Sequence, residues 1–147
     1  MSGIFHGPGE GTRYTARGSE MTFKAIAAST GGAFSLMERT IPASGRRPPP
    51  HRHAGPEGFY ILDGSIEIVI DGRSQTGGPG FWALAPAGAA HTFGNAGDTP
   101  ARLLIIHAPA ADAYFEGLQT LWASQEPPTP EDERELMRSH GIEPVEP

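Results

Sequence analysis

The sequence contains no cysteine. This absence excludes disulfide bonds, thiolate metal ligands and a cysteine nucleophile, and it is compatible with a reducing compartment. Long apolar runs are also missing, since no stretch approaches the roughly 18–20 residues that a membrane-spanning helix needs. Residues 1–14 lack the basic segment followed by an apolar run that marks a secretory signal. We therefore expect a cytoplasmic protein that does not bind a membrane.

Positive charge is scarce as well. The chain has 11 lysines and arginines against 17 aspartates and glutamates, for a formal net charge of −6. Proteins that bind nucleic acids carry clusters of lysine and arginine for the phosphates. Here the nearest cluster is Arg46, Arg47 and Arg52, which we interpret as a solvated rim, with contact to an anionic substrate as the alternative. The composition argues against a nucleic-acid partner, and a small molecule is the expected one.

Turn-forming residues, in contrast, are abundant. The 147 residues include 20 glycines and 15 prolines, which separate short apolar runs. Asp63-Gly64 is typical of a tight hairpin turn, and in the run that follows Ile66, Ile68 and Ile70 recur at every second position, as on a strand with one core face. Many short strands with turns between them indicate a single all-β domain of the sandwich or barrel type. The nearly continuous apolar run at residues 101–108 predicts a strand buried on both sides.

The residues with the clearest chemical meaning are three histidines and one glutamate. His51 and His53 are two residues apart, so on an extended strand they would share a face, roughly 6–7 Å from each other. Glu57 follows four residues later, and His91 lies in a second glycine-rich segment. Imidazole nitrogens and carboxylate oxygens are ligands of divalent transition metals. The four residues therefore predict one such ion, and the ligand set leaves Fe, Mn, Ni, Cu and Zn open.

The two segments that carry these residues, 45–64 and 80–95, resemble the two signature motifs of the cupin superfamily. The matching positions, in chain order, are Gly45, His51, His53, Glu57, Gly64, Gly80, Pro86, Gly88, His91 and Asn95. The short interval between Gly64 and Gly80 resembles that of single-domain bacterial cupins. The resemblance implies a cupin jelly-roll β-barrel, or double-stranded β-helix, in which the four metal ligands meet inside.

The resemblance and the composition divide the chain into a flexible N-terminal arm at 1–12, a cupin barrel at 13–109 and a helical extension at 110–147. In the extension, residues 111–123 place apolar side chains at helical spacing. Thr129 has the features of a helix N-cap, with Pro130 and acidic residues after it, and Gly141 has those of a helix end. We expect these short helices to pack on the barrel or on a dimer partner, because the resemblance also implies a homodimer.

A looser resemblance, over residues 30–53 and 140–147, is to quercetin dioxygenase-like single-domain cupins. It implies that Glu57 is catalytic as well as a metal ligand, because in such enzymes this glutamate accepts a proton from a substrate hydroxyl. The cavity is expected to be apolar. Its candidate walls are Phe34, Met37, Phe59, Trp82 and Phe93, with His107 either beside the metal ligands or packed at a strand end.

The sequence therefore favours a metal-dependent dioxygenase that cleaves a small aromatic or enolic, quercetin-like substrate with O₂. Two alternatives stay open. One is a metal-assisted isomerase, cyclase or lyase that uses the ion as a Lewis acid without redox chemistry. The other is a non-catalytic protein whose barrel binds a small ligand.

Overall fold

The computed structural model describes residues 2–124 and 126–145. Within these residues the chain forms eleven strands and three helices. The strands are β1 (Thr12–Ala16), β2 (Ser19–Ala25), β3 (Ser35–Ile41), β4 (His51–Arg52), β5 (Glu57–Asp63), β6 (Ile66–Ile70), β7 (Arg73–Gly77), β8 (Trp82–Ala85), β9 (His91–Asn95), β10 (Ala101–His107) and β11 (Glu143–Pro144). The helices are α1 (Ala27–Thr30), α2 (Asp112–Trp122) and α3 (Pro130–Ser139).

The strands form two antiparallel sheets. The six-stranded sheet has the order β1-β2-β3-β10-β5-β8, and the five-stranded sheet has the order β11-β4-β9-β6-β7. From β3 onward the chain passes back and forth between the sheets, as it does in a jelly roll. The predicted all-β jelly roll with short C-terminal helices is confirmed.

The core lies between the sheets and is built from every second residue of their strands. In β3 this alternation buries Met37, Arg39 and Ile41, and in β10 it buries Leu103 and Ile105. Four of these five side chains are apolar, as a core position requires. Arg39 is charged and nevertheless lies on the same inner face.

The outer face of β10 differs from the prediction. Leu104 and Ile106 are only half-buried, and they line a shallow outer groove together with Tyr60 and Trp82. The prediction that this strand is buried on both sides was wrong, because α2 packs on β1 rather than over β10.

Both predicted C-terminal helices are present. α2 packs on β1 and on α3, and it buries Tyr114, Phe115 and Leu118. α3 begins with a capping box, in which the Thr129 hydroxyl accepts from the Asp132 N–H at 3.1 Å while the Thr129 N–H donates to the Asp132 carboxylate at 2.7 Å. In the part of the chain that the structure describes, none of the helices is long and apolar enough to span a membrane.

Two contacts near the chain ends were not predicted. Residues 2–11 form no helix or strand, and Lys24 Nζ joins them to β2 by donating to the carbonyls of Gly7 at 2.9 Å and Glu10 at 2.7 Å. At the other end β11 pairs with β4, which places Pro144 opposite His51. The C-terminal tail therefore returns to the strand that carries a predicted metal ligand.

Candidate metal centre

Strands β4 and β9 bring two of the predicted ligands together. His51 in β4 pairs directly with His91 in β9, and Glu57 is the first residue of β5. His53 does not share a strand with His51, as the spacing suggested, because β4 ends at Arg52. The chain bends there and still brings the His53 ring to 5.9 Å from the His51 ring and 4.9 Å from the His91 ring.

Each of the three histidine rings is oriented by a backbone carbonyl two residues away along the chain. In every case Nδ1–H donates to that carbonyl oxygen, which leaves a lone pair on Nε2. The three bonds run from His51 to Pro49 at 2.8 Å, from His53 to Gly55 at 2.7 Å and from His91 to Ala89 at 2.8 Å. This is the arrangement by which metal-binding histidines are held in one tautomer and one orientation.

The Glu57 carboxylate lies at the centre of the cluster and is only 2% exposed. Its Oε1 atom is 2.9 Å from His53 Nε2 and 3.0 Å from His91 Nε2. With Nδ1 of each ring donating to a carbonyl, these contacts set a nitrogen lone pair against a carboxylate oxygen. Two acceptors at this distance need a cation between them, either a proton or a metal ion.

The donor set fits a divalent transition-metal ion. The ligand atoms of His51, His53, Glu57 and His91 all lie within 4.8 Å of one another. Three imidazole nitrogens and one carboxylate oxygen are suitable ligands for several such ions. Four protein ligands also leave one or two coordination positions for water or substrate, which distinguishes a catalytic metal site from a closed structural one. The cluster is therefore a candidate metal site, and its chemistry does not select one metal.

His107 contacts the same carboxylate but differs from the three oriented histidines. It ends β10, directly opposite Glu57 in β5, and its Nε2 lies 2.9 Å from Glu57 Oε1. Its Nδ1 is buried and has no hydrogen-bond partner among the described residues. Because no carbonyl holds its Nδ1, His107 is free to donate from Nε2–H to Glu57. The structure places it in the cavity wall beside the ligands.

The electrostatics of the cluster keep the glutamate charged. Burial acts to raise the pKa of Glu57, but His107, His53 and His91 outweigh it and hold that pKa well below its ordinary value. Burial lowers the pKa of His51 to about 4. Burial acts to lower the pKa of His91 too, but the hydrogen bond and the charge of Glu57 outweigh it and raise that pKa. His51 is thus neutral and can bind a metal ion directly. At His91 a proton is favoured, so a metal ion must displace that proton.

The predicted pocket residues do not all lie in the cavity, which has a volume of about 330 Å³. Met37 and Phe93 line it together with His107. Phe59 is fully buried behind the wall, with its ring 5.3 Å from the Phe93 ring and 6.2 Å from the His91 ring.

Phe34 and Trp82 were also assigned to the wall, and the structure places them outside it. Trp82 is 53% exposed and Phe34 is 37% exposed. In β5 the inward positions are Phe59 and Ile61, so Tyr60 and its cross-strand partner Trp82 point outward. Phe34 directly precedes the inward-facing Ser35, so it falls in the outward phase of β3.

Sequence reasoning missed the basic end of the cavity, which Arg17, Arg39 and Tyr114 line. One feature of the sequence could have indicated that Arg39 points inward. In the segment 35–41 the apolar residues Met37 and Ile41 mark the inward phase, and Arg39 lies between them in that same phase.

Both the fold and a family comparison show a similarity to cupins. Residues 37–107 match the model of the cupin domain family, and the two antiparallel sheets with their crossing connections form the cupin fold. Residues 37–107 are therefore similar to a cupin domain, and the candidate site of three histidines and one glutamate lies among them. Among curated proteins, none matches the sequence significantly.

Solved structures with the same fold come from several small cupins. The polyketide cyclase RemF from Streptomyces resistomycificus matches with a TM-score of 0.61 at 23% identity, over 74% of this chain and 80% of that chain. KdgF from Halomonas sp. matches with a TM-score of 0.64 at 18% identity, over 76% of this chain and 98% of that chain. An RmlC-like cupin from Shewanella frigidimarina matches with a TM-score of 0.63 at 15% identity, over 77% of this chain and 96% of that chain. None of these three is described as a quercetinase, and the likeness establishes the fold.

Proposed function

We propose that the protein is a metal-dependent enzyme that removes a proton from a small enolic or phenolic substrate. The observation that carries this proposal is a cluster of three oriented histidines and one buried, charged carboxylate, whose ligand atoms all lie within 4.8 Å of one another. Burial of the site excludes bulk water, which strengthens electrostatic interactions with a bound substrate.

The roles of the residues follow from their contacts. A divalent ion held by His51, His53, Glu57 and His91 would act as a Lewis acid towards a substrate oxygen. Glu57 is the base that accepts the substrate proton at a carboxylate oxygen, since it is charged and faces the cavity. His107 is a positioning residue, because its Nε2 lies 2.9 Å from Glu57 and holds that carboxylate in place.

Our first candidate for the reaction is dioxygenation, in which a carbon–carbon bond of an aromatic or enolic compound is cleaved and both atoms of O₂ enter the products. This reaction needs no external reductant. A four-residue ligand set with positions left for exogenous ligands supports it. So does a cavity whose walls between the charged groups include Met37, Phe93 and Ile105.

The second candidate is a redox-neutral isomerisation, cyclisation or elimination at the same site. The contact between Glu57 and His107 favours it, because a proton taken by a carboxylate beside an imidazole can be returned to another atom of the substrate. The structural similarity to the polyketide cyclase RemF points in the same direction.

The experiment that tests the proposal compares metal-loaded with chelator-treated protein on a panel of flavonols and 1,3-dicarbonyl compounds, under air and under nitrogen. Metal-dependent oxygen uptake with cleaved products supports dioxygenation. Turnover under nitrogen with Zn²⁺ supports the redox-neutral reaction. If no metal gives product, and if His51→Ala binds the compounds as tightly as the original protein, the chain is a binding protein and the proposal fails.

Changing His107 tests its positioning role. We expect His107→Phe to fold and to retain a bound metal, while its turnover falls by about 10–100-fold, the usual cost of losing a residue that supports a metal ligand. Metal analysis and the pH profile of turnover are measured together, since loss of the His107 hydrogen bond should move the acid limb governed by Glu57 to higher pH. Unchanged turnover would show that His107 is only a packing residue.

A further inference from the structure

Arg39 is a buried charge that the fold itself does not neutralise. It lies on the inner face of β3, is 2% exposed and lines the cavity. Its Nε atom has no hydrogen-bond partner among the described residues. The bond from its Nη2 to the Ser19 hydroxyl is 3.5 Å long, which is beyond the usual range for a hydrogen bond from nitrogen to oxygen. No carboxylate in the described part of the chain forms an ion pair with it.

The neighbouring Arg17, in contrast, is a buried guanidinium that has a carboxylate partner. Arg17 forms two short contacts with the Glu133 carboxylate, from Nη2 at 2.9 Å and from Nε at 3.1 Å. Glu133 also accepts from the Trp122 Nε1–H at 3.0 Å and lies 3.8 Å from Arg46. Its carboxylate is therefore fully engaged and is not a counter-ion for Arg39.

Burying a guanidinium without a counter-ion is unfavourable, because a charge loses its hydration and gains no compensating partner. Burial and the nearby Arg17 lower the pKa of Arg39 to about 9, while Tyr114, Glu57 and Glu133 act to raise it. The group is still protonated at neutral pH. The face of the Phe93 ring lies 5.2 Å from the guanidinium carbon and provides a weak interaction with the charge.

Arg39 shares one cavity with the candidate metal centre. His107 pairs with Ser35 in β3, and Arg39 lies four residues further along that strand, or about 13 Å at the usual rise per residue. The inward side chains between these two points are apolar, namely Met37 and its cross-strand partner Ile105. The cavity therefore has a cationic end, an apolar middle and an end that would bind a metal.

We propose that Arg39 binds the carboxylate of the substrate, and that the substrate is a small carboxylic acid with an apolar, unsaturated body reaching towards Glu57. A carboxylate matches the planar guanidinium and supplies the missing counter-ion. The inference rests on the proposed function in one respect only, since it takes this cavity to be the substrate site.

The experiment measures binding of 2-naphthoate and of the neutral, isosteric 2-naphthamide by calorimetry. Metal-free protein is used, because a carboxylate could otherwise bind directly to the metal. We expect the acid to bind roughly tenfold or more tightly than the amide. Arg39→Met should remove that preference. Arg102→Met is the matched control, because Arg102 is exposed on the neighbouring strand β10 and pairs with Glu38 on the outer surface.

The stability of Arg39→Met separates a binding role from a structural one. If Arg39 serves a ligand, replacing an unpaired buried charge by an apolar side chain leaves the melting temperature unchanged or raises it. A marked fall in melting temperature would show that the fold needs Arg39 and would overturn the proposal. So would equal affinity for acid and amide in the original protein, no binding of either compound, or an acid preference retained in Arg39→Met.

The two proposals fail in different ways. The acid preference is measured without metal and without turnover, so it stands or falls independently of the reaction. Metal content and oxygen uptake report on the reaction alone. A protein that prefers the acid but turns over nothing keeps the carboxylate site and loses the enzymatic proposal.

Discussion

The two ends of the cavity both bury charge, but they neutralise it differently. At one end three histidine rings, each fixed by a backbone carbonyl, face a single carboxylate, so the chain itself supplies a complete set of ligands for a cation. At the other end Glu133 satisfies Arg17, and Arg39 has no carboxylate among the described residues. This difference underlies both proposals, since the first end has the ligands of a candidate metal site and the second has a buried guanidinium without a carboxylate partner among the described residues.

The largest effect is expected from the ion pair at the basic end. Glu133→Gln leaves Arg17 buried without its counter-ion, and breaking a buried pair in this way costs about 3–5 kcal/mol of the free energy of unfolding. Urea denaturation measures it. Glu131→Gln is the matched control, because Glu131 lies on the same helix, is exposed and pairs with Arg134 and Arg138 on the helix surface. Equal stability of the two variants would mean that Arg17 and Glu133 do not stabilise the fold.

The metal end is tested by removing one ligand. We expect His91→Ala to weaken metal binding by about 100-fold or more, since even a supporting residue costs 10–100-fold. Competition titration with a metal indicator measures the affinity. The exposed His6 serves as control, and His6→Ala should bind metal as the original protein does. An unchanged affinity in His91→Ala would place the ion elsewhere.

The pH dependence of metal affinity separates the histidines of the metal end. Glu57 raises the pKa of His91, so a proton occupies that site as the pH falls and the metal must displace it. The pKa of His51 is about 4, so His51 carries no competing proton in the same range. We expect affinity to fall by about tenfold or more per pH unit, where tenfold is the slope for one proton, as the pH falls below the raised pKa of His91. Competition titrations that give no slope would contradict this assignment.

The smallest effect concerns the helix that carries Glu133. Thr129→Ala removes the hydroxyl of the capping box at the start of α3, and it should cost about 1 kcal/mol of the free energy of unfolding. Metal affinity should not change, because α3 supplies no predicted ligand. A loss as large as that of Glu133→Gln would mean that the cap stabilises the fold as much as the ion pair does, and would contradict this ranking.

How much of this could be predicted from the sequence differs between the two ends as well. The metal end was predictable because its residues belong to two short motifs with fixed spacing, and because imidazole and carboxylate groups have a specific chemical meaning together. The cap at Thr129 was predictable for the same reason, since a short local pattern determines it. The hairpin predicted at Asp63-Gly64 was wrong, because the strands on either side of this turn, β5 and β6, lie in different sheets and do not pair. The local pattern predicted the turn itself, in which Gly64 adopts a positive φ of 82°, but not the pairing of the strands.

The basic end was not predictable because it depends on contacts between distant parts of the chain. Arg17 and Glu133 are 116 residues apart, and no local pattern links a residue of the turn between β1 and β2 to a helix residue over that separation. The phase of each strand raised a related difficulty. Trp82 and Phe34 are aromatic and were assigned to the cavity, whereas Arg39 is charged and was not, because which face of a strand points inward becomes clear only when the sheets are packed.

The most direct test of the account is the coordination of a metal ion bound to the purified protein, measured by elemental analysis and X-ray absorption spectroscopy on protein supplied with a single divalent metal. The account predicts one ion per chain, with three imidazole nitrogens and at least one carboxylate oxygen around it. It predicts that His91→Ala reduces the imidazole count to two. Protein that binds no ion under these conditions, or an ion whose spectrum shows no imidazole ligands, would contradict the account.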